Sequence, residues 1–272
     1  MTASTLKTHQ FDNGIKVNKN HLLKTQLKRY QNQNLHEPEE ERIFLDVLQK
    51  LPQNEMFINV GAAIGYYLIL AKSVKPGLHM AAFEPLASHR TFIIENFRLN
   101  GLDINDIELN DEVVSSTVGK ITFREDTFCS HVDNNSSFLQ TLKTNIKTIG
   151  RILLGRQKMR KGQRVQKKTT TIDRYLNDKK KKAGLIQIDV QGHEFEVLKG
   201  SEKSLENNRI SYLLVGTHSH DLHHTCVTYL TSFNYQIVID DYETNDQPDG
   251  ILLAKSNVSA KAKKNKKNTY EI

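Results

Sequence analysis

A short apolar run, Met56-Phe-Ile-Asn-Val60, stops at Gly61, and a second glycine, Gly65, opens a helix-like segment at Tyr66. Apolar residues drive such a strand into a core buried on both faces. Glycine removes the Cβ that blocks close backbone approach, and the first N–H groups of the next helix then face a ligand. Ala81-Ala82-Phe83-Glu84-Pro85 reads as another buried strand, and Glu84 lies 23 residues after Gly61. A carboxylate near that offset is placed to accept both hydroxyl hydrogens of a ribose. The glycine spacing narrows the ligand. Dinucleotide folds use G-x-G-x-x-G, whose second glycine admits a pyrophosphate. Here the run is G-A-A-I-G, and the side chain of Ala63 would crowd a pyrophosphate. A cofactor with an adenosyl group and no phosphates, such as S-adenosylmethionine, needs less room.

The 272 residues suffice for one large domain or two small ones and can bury a substantial core. Apolar content is 38%, below the globular average, which suggests polar extensions around an ordinary core. The two cysteines, Cys129 and Cys226, give neither a disulfide framework nor metal-ligand spacing, so a reducing, cytoplasmic setting is expected. No signal-peptide pattern opens the sequence, and the longest uncharged run, Met56 to Ala71, is too short to span a bilayer. The net charge of +7 is unevenly placed. Residues 141–182 carry fifteen Lys and Arg against Asp173 and Asp178, a net of +13, and residues 255–272 a net of +5. The rest is therefore acidic, at −11. The two basic blocks are either solvated surface or a means of attracting nucleic acid, anionic lipid or acidic glycan.

Residues 1–35 are polar and without periodicity, and part of this extension is expected to be loosely ordered. From residue 36 to 254 the chain reads as one domain. Ile43, Phe44, Val47, Leu48 and Leu51 mark a helix beside the first strand. Strands then alternate with helices: strand 56–60, helix 66–74, strand 79–84, helix 86–99, and strands at 106–110 and 118–124. Residues 126–168 read as a basic insertion, with a helix between Phe138 and Arg156, over one end of the sheet. Alternation resumes with a short helix after Thr171-Ile172-Asp173, strand 185–190, helix 194–206, strand 210–216 and helix 222–233. Strands 235–240 and 249–254, joined by a short turn, must be antiparallel. A Lys-rich tail occupies 255–272. The fold class is thus α/β, a mostly parallel sheet of about seven strands with helices on both faces and an antiparallel C-terminal hairpin.

The run Phe57-Ile-Asn-Val-Gly-Ala-Ala-Ile-Gly-Tyr66 resembles the cofactor loop of FkbM-type methyltransferases. So do Phe83-Glu84-Pro85, Asn96 with Leu99-Asn100, Thr171-Ile-Asp173, Ile188-Asp-Val-Gln-Gly-His-Glu194 and Val197-Leu-Lys-Gly200, in the family's order over residues 56–254. The resemblance implies a class I methyltransferase fold, S-adenosylmethionine as methyl donor, and O-methylation of a sugar or natural-product hydroxyl. Three positions depart from the family pattern. Asn59 stands where Asp is usual, Gln191 where Glu is usual, and Val215-Gly216-Thr217-His218 replaces a strand-end Glu. Asn59 can still accept from an amino group or donate to a carboxylate. The missing carboxylates weaken a divalent-metal site, and none is predicted.

Ligands of open α/β sheets sit beyond the carboxyl ends of the strands. On that basis Gly61, Gly65 and Tyr66 border the methionine part of the cofactor, with Asn59 and Ala62 in the same loop. Glu84, followed by Pro85, holds the ribose, and Glu112 and Val113 edge the adenine. Asp189 faces the acceptor, unless it merely caps the following helix. His218 leaves a strand end near Asp189, and the pair reads as a proton-accepting base with its orienting carboxylate. His193 and His220 are candidate acceptor contacts. The cluster His218-Ser-His220-Asp-Leu-His223-His224 also invites a metal reading, but its spacing does not match a metallo-hydrolase motif. Three readings follow: O-methylation of a sugar, glycan or other small acceptor; methylation of RNA ribose or an RNA cap, suggested by the basic insertion and tail; and a non-catalytic S-adenosylmethionine-binding protein.

Overall fold

The computed structural model describes residues 7–53, 55–125, 131–132, 163–242 and 249–257. The chain opens with an antiparallel pair, Thr8–Gln10 (β1) and Lys16–Asn18 (β2), and a short helix, Lys24–Arg29 (α1). Helix α2, Pro38–Lys50, starts on a proline and carries Glu39, Glu40 and Glu41 in its first turn, where the helix dipole favours negative charge. Strand β3 (Met56–Val60) leads to α3 (Tyr66–Val74), and β4 (His79–Phe83) to α4 (Ala87–Leu99). Strands β5 (Ile107–Asn110), β6 (Val113–Val114), β7 (Gly119–Glu125), β8 (His131–Val132) and β9 (Gln163–Thr170) follow. Then come α5 (Ile172–Lys179), β10 (Ala183–Ile188), α6 (Glu194–Lys199), α7 (Glu202–Glu206), β11 (Ile210–Thr217), α8 (His220–Ser232), β12 (Tyr235–Asp241) and β13 (Gly250–Ser256).

Seven strands form the main sheet in the order β12-β13-β11-β10-β3-β4-β5. Strand β13 runs antiparallel to both β11 and β12, and the remaining pairs are parallel. The central strands are buried along their length, and hydrophobic clusters fill both faces. This is the mixed sheet expected from the alternation of the sequence, including its closing hairpin. None of the described helices is long and apolar enough to cross a membrane.

Four expectations need correction. The N-terminal segment is not loosely ordered from Lys7 onward. Phe11, Ile15, Val17, Leu22 and Tyr30 are buried in the same cluster as the core of α2 and α3. Helix α4 pairs with β2 through its side chains: Asn18 N donates to Asn96 Oδ1 at 2.9 Å, and Asn100 bonds both the N–H and the carbonyl of Lys16. Second, the strand expected at 118–124 is not part of the main sheet. It is β7, in a separate four-stranded sheet of order β6-β9-β7-β8. Third, residues 163–168, read as the end of the insertion, belong to β9 and pair with β7. Fourth, the helix expected over 194–206 breaks at Gly200, where a Cβ would collide with the carbonyl oxygen of Ser115. The helix expected between Phe138 and Arg156, the turn at 245–248 and the tail beyond residue 257 lie outside the described residues.

Phe11 is 2% exposed and stacks edge-on against both Tyr30 and Tyr66. Truncating it in a folded segment removes buried area and leaves a cavity. Phe11→Ala is expected to cost about 3–5 kcal/mol in urea unfolding. An unchanged unfolding midpoint would mean that the segment is only a loose extension.

Candidate active site

The site is built where the tips of β3 and β10 touch. Asp189 N donates to Val60 O at 3.0 Å, and Gly61 N donates to Phe83 O at 2.9 Å. Gly61 has φ of 85°, a left-handed conformation that favours glycine. A Cβ there would also collide with the carbonyl oxygen of Asp189. Glycine is therefore demanded by the neighbouring strand even before any ligand arrives.

Two hollows open on either side of this contact, and Gly61, Ala63 and Asp189 border both. The larger, of about 750 Å³ and open to solvent, is walled by Glu84, Pro85, Glu112, Val113, Phe123 and His193 among others. The smaller, of about 340 Å³, is walled by His36, Glu37, Asn59, Ala62, Tyr66 and Tyr67 among others. Phe123 reaches the larger hollow from the small sheet, packing with Leu86 and Val113.

Glu84 is 4% exposed. Its two carboxylate oxygens accept from Ala63 N at 2.9 Å and Leu86 N at 3.0 Å, with His89 Nδ1 at 3.5 Å. A carboxylate has about four acceptor positions, so capacity for ribose hydroxyls remains. The bond to Ala63 also holds that residue at φ of 46°, uncommon for a residue with a Cβ. Gly65, at φ of 80°, caps α3 and packs on Ile93. Asn59 is buried and donates to Gln187 Oε1 at 3.3 Å, while Gln187 donates to Glu40 at 2.6 Å. Tyr66 is also spoken for: its hydroxyl donates to Glu41 at 2.8 Å and accepts from Asn13 at 2.6 Å. Tyr66 and Asn59 thus contribute shape to the small hollow while their polar atoms serve the core.

Asp189, Glu194, His218 and Asp249 form a charge cluster at the ends of β10 and β11. Buried Glu194 accepts at Oε1 from Val190 N at 3.1 Å, Gly192 N at 3.0 Å and His218 Nδ1 at 2.9 Å. Those donors outweigh desolvation and hold its carboxyl below the usual range. His218 Nε2 lies 3.4 Å from Asp189 Oδ1, 3.6 Å from Asp249 Oδ1 and 2.7 Å from Gln191 Nε2. Desolvation opposes its charge, but Glu194, Asp249 and Asp189 together push its pKa up to about 10. An imidazolium has no lone pair for an incoming proton. On that electrostatic ground Asp189 is the better candidate for the base and His218 for its charged partner. Loss of solvation pushes Asp189 the other way, up to about 7; His218 opposes the rise and Asp249 adds to it.

Asp189, Glu194 and His218 each offer a ligand atom within 4.8 Å of the others, a set that could hold a divalent ion. His193 is placed on the side of the larger hollow, its Nε2 3.0 Å from Ser115 Oγ, and burial lowers its pKa so that it is neutral. His220 is exposed at the start of α8 and packs on Tyr242, outside both hollows, so the two expected acceptor histidines are not brought together. Glu37, Glu194 and Asp249 were not assigned roles from sequence. Glu194 ends the Ile188-Asp-Val-Gln-Gly-His-Glu194 motif, and its burial at a helix start is the missed signal.

The proton on His218 links stability to pH. A raised histidine pKa stabilises the fold fully below its ordinary value of 6.5, and the gain is lost as pH rises through about 10. The gap in melting temperature between the wild type and His218→Gln is expected to be widest below about pH 6.5 and to close toward about pH 10. Thermal melts at a series of pH values measure it, and a gap that does not vary with pH would contradict the assignment.

The chain matches the family model for the methyltransferase FkbM domain over residues 59–237. No curated protein matches it in sequence. Among solved structures, it is similar to the methyltransferase FkbM from Methylobacillus flagellatus KT, with a TM-score of 0.50 and 16% identity, over 75% of this chain and 44% of that one. The chain thus spans less than half the length of that protein. It is also similar to precorrin-6y C5,15-methyltransferase from Geobacter metallireducens GS-15, with a TM-score of 0.47 and 12% identity, over 80% and 88% of the two chains. A third structure is TrmK of M. capricolum in complex with S-adenosyl-homocysteine, with a TM-score of 0.42 and 10% identity, over 79% and 68%. The family model spans the walls of the larger hollow and the strands from β4 to β11, and the chain belongs to the FkbM methyltransferase family, with a Rossmann-like fold.

Proposed function

We propose that this methyltransferase moves a methyl group from S-adenosylmethionine to a hydroxyl of a sugar, glycan or other small acceptor. The observation that carries this reading is the position of Asp189, a carboxylate that borders both hollows and lies 3.4 Å from His218. A bound S-adenosylmethionine would supply an electrophilic methyl on a sulfonium, with a neutral thioether as the leaving group. In this reading the larger hollow takes the adenosyl group, with Glu84 assigned to the ribose and Glu112 and Val113 to the base; all three line that hollow. The methyl of Ala63 leaves little room for a pyrophosphate.

Asp189 takes the proton that the hydroxyl loses, since a base works best when its pKa lies near the operating pH. His218, held by Glu194, lies beside Asp189 as a fixed positive charge and orients it. The mouth carries Asp189 and Asp249 around one imidazolium, so a neutral hydroxyl compound meets less repulsion there than a phosphate.

A specific observation favours RNA as a second reading. Strands β7 and β9 present exposed Lys120, Arg164 and Lys168 on the ribbon that also delivers Phe123 to the cleft. Steep salt dependence of RNA binding would favour it.

Methyl-labelled donor incubated with fractionated cell extract identifies the acceptor. With that acceptor, Asp189→Asn is expected to lower kcat by about 10²–10⁴-fold. Wild-type kcat is expected to rise with pH through about 7, as Asp189 loses its proton. Full activity in the variant, or a flat profile, would remove Asp189 as the base.

A further inference from the structure

The smaller hollow has its own chemistry. Its walls include the carboxylates of Glu37 and Asp189, and none of its lining residues is Lys or Arg. His36, also in the wall, is half-buried, and loss of solvation lowers its pKa; its Nδ1 is bonded to the Tyr30 hydroxyl at 2.6 Å. Such a hollow favours a cation.

Glu37 is fixed in position. Its Oε2 accepts from the Tyr67 hydroxyl at 3.1 Å, and Oε1 lies 4.0 Å from His36 Nε2. Burial raises the Tyr67 phenol well above its ordinary pKa, so it remains a donor. The N-terminal segment holds the approach to α2 in place: Arg29 donates to His36 O at 2.8 Å, and His36 N donates to Glu41 Oε1 at 2.7 Å. Glu37 precedes α2 but makes no side-chain capping bond to it. Its carboxylate is close enough to Asp189 and Asp249 to raise the pKa of both.

We infer that the smaller hollow receives the α-amino-acid arm of the methyl donor, with Glu37 as the residue that binds its ammonium group. This rests on the donor reading above. The arm of S-adenosylmethionine carries an α-ammonium and an α-carboxylate, and the ammonium is what a carboxylate beside Asp189 attracts. The shared border at Gly61 and Ala63 lets one ligand extend from the adenosyl hollow into this one. Glu37 then selects an adenosyl thioether that bears an amino-acid arm over one that lacks it. The folded N-terminal segment becomes part of the donor site.

Calorimetry with S-adenosylhomocysteine and with methylthioadenosine separates the two hollows, because methylthioadenosine has the adenosyl group and no arm. Glu37→Gln keeps the shape and removes the charge. It is expected to weaken S-adenosylhomocysteine about tenfold or more, as for a lost charge-assisted bond, and to leave methylthioadenosine unchanged. Tyr67→Phe, which frees the carboxylate, is expected to shift affinity in the same direction by less. Unaltered S-adenosylhomocysteine affinity in Glu37→Gln, or equal losses for both ligands, would overturn the assignment while the donor reading stands. Failure of the wild type to bind either ligand would sink both. Matching melting temperatures for wild type and variant exclude misfolding as the cause of a selective loss.

Discussion

The site depends on one backbone contact: Gly61 lies against the carbonyl of Asp189 with no room for a Cβ. The contact brings the tips of two parallel strands together at the middle of the sheet. Parallel strands direct their carboxyl ends to the same edge, so the residues that follow β3, β4, β10 and β11 collect there. Asp189 is thereby held at the junction of two hollows. The bond from Ala63 to Glu84 extends the same constraint to β4 and ties the Gly61 loop to the acid at that strand's end.

Charge is arranged around that junction with little redundancy. Asp189, Glu194 and Asp249 crowd a single imidazole. Glu194, fully buried, remains ionised because two backbone N–H groups and His218 converge on one of its oxygens. Breaking such a pair leaves an uncompensated buried charge, a cost that exceeds the net worth of the pair itself. The cluster therefore locks the loop after β10 to the end of β11 and sets the orientation of Asp189. Its negative balance also biases the mouth toward neutral or cationic groups.

Much of this was legible in the sequence, for physical reasons. Strands β3, β4 and β10 are short, largely apolar runs, and a helix pattern follows each of them. Gly61 and Glu84 stood out because a sharp strand-to-helix bend needs glycine and a buried strand rarely ends on an acid by chance. The N-terminal segment was not legible. Phe11, Ile15, Val17, Leu22 and Tyr30 are scattered among polar residues, and β2 completes its bonding with Asn96 and Asn100, some eighty residues away. Strand β9 was hidden by its composition, Gln163 to Thr170 being mostly Lys, Arg, Gln and Thr. The charge state of His218 was unreadable because Glu194 lies 24 positions away and meets it only across the folded edge of the sheet. Glu37 stands before a helix in a stretch with no ligand motif, so only the hollow reveals it.

The central claim is that a phosphate-free adenosyl donor lies across this junction. A crystal structure of the complex with S-adenosylhomocysteine tests it directly. The expected result has the ribose hydroxyls on Glu84, the adenine between Glu112 and Val113, and the sulfur beside Asp189. Nucleoside density away from the strand ends, or a Glu84 that touches only Ala63 and Leu86 in the complex, would contradict the account.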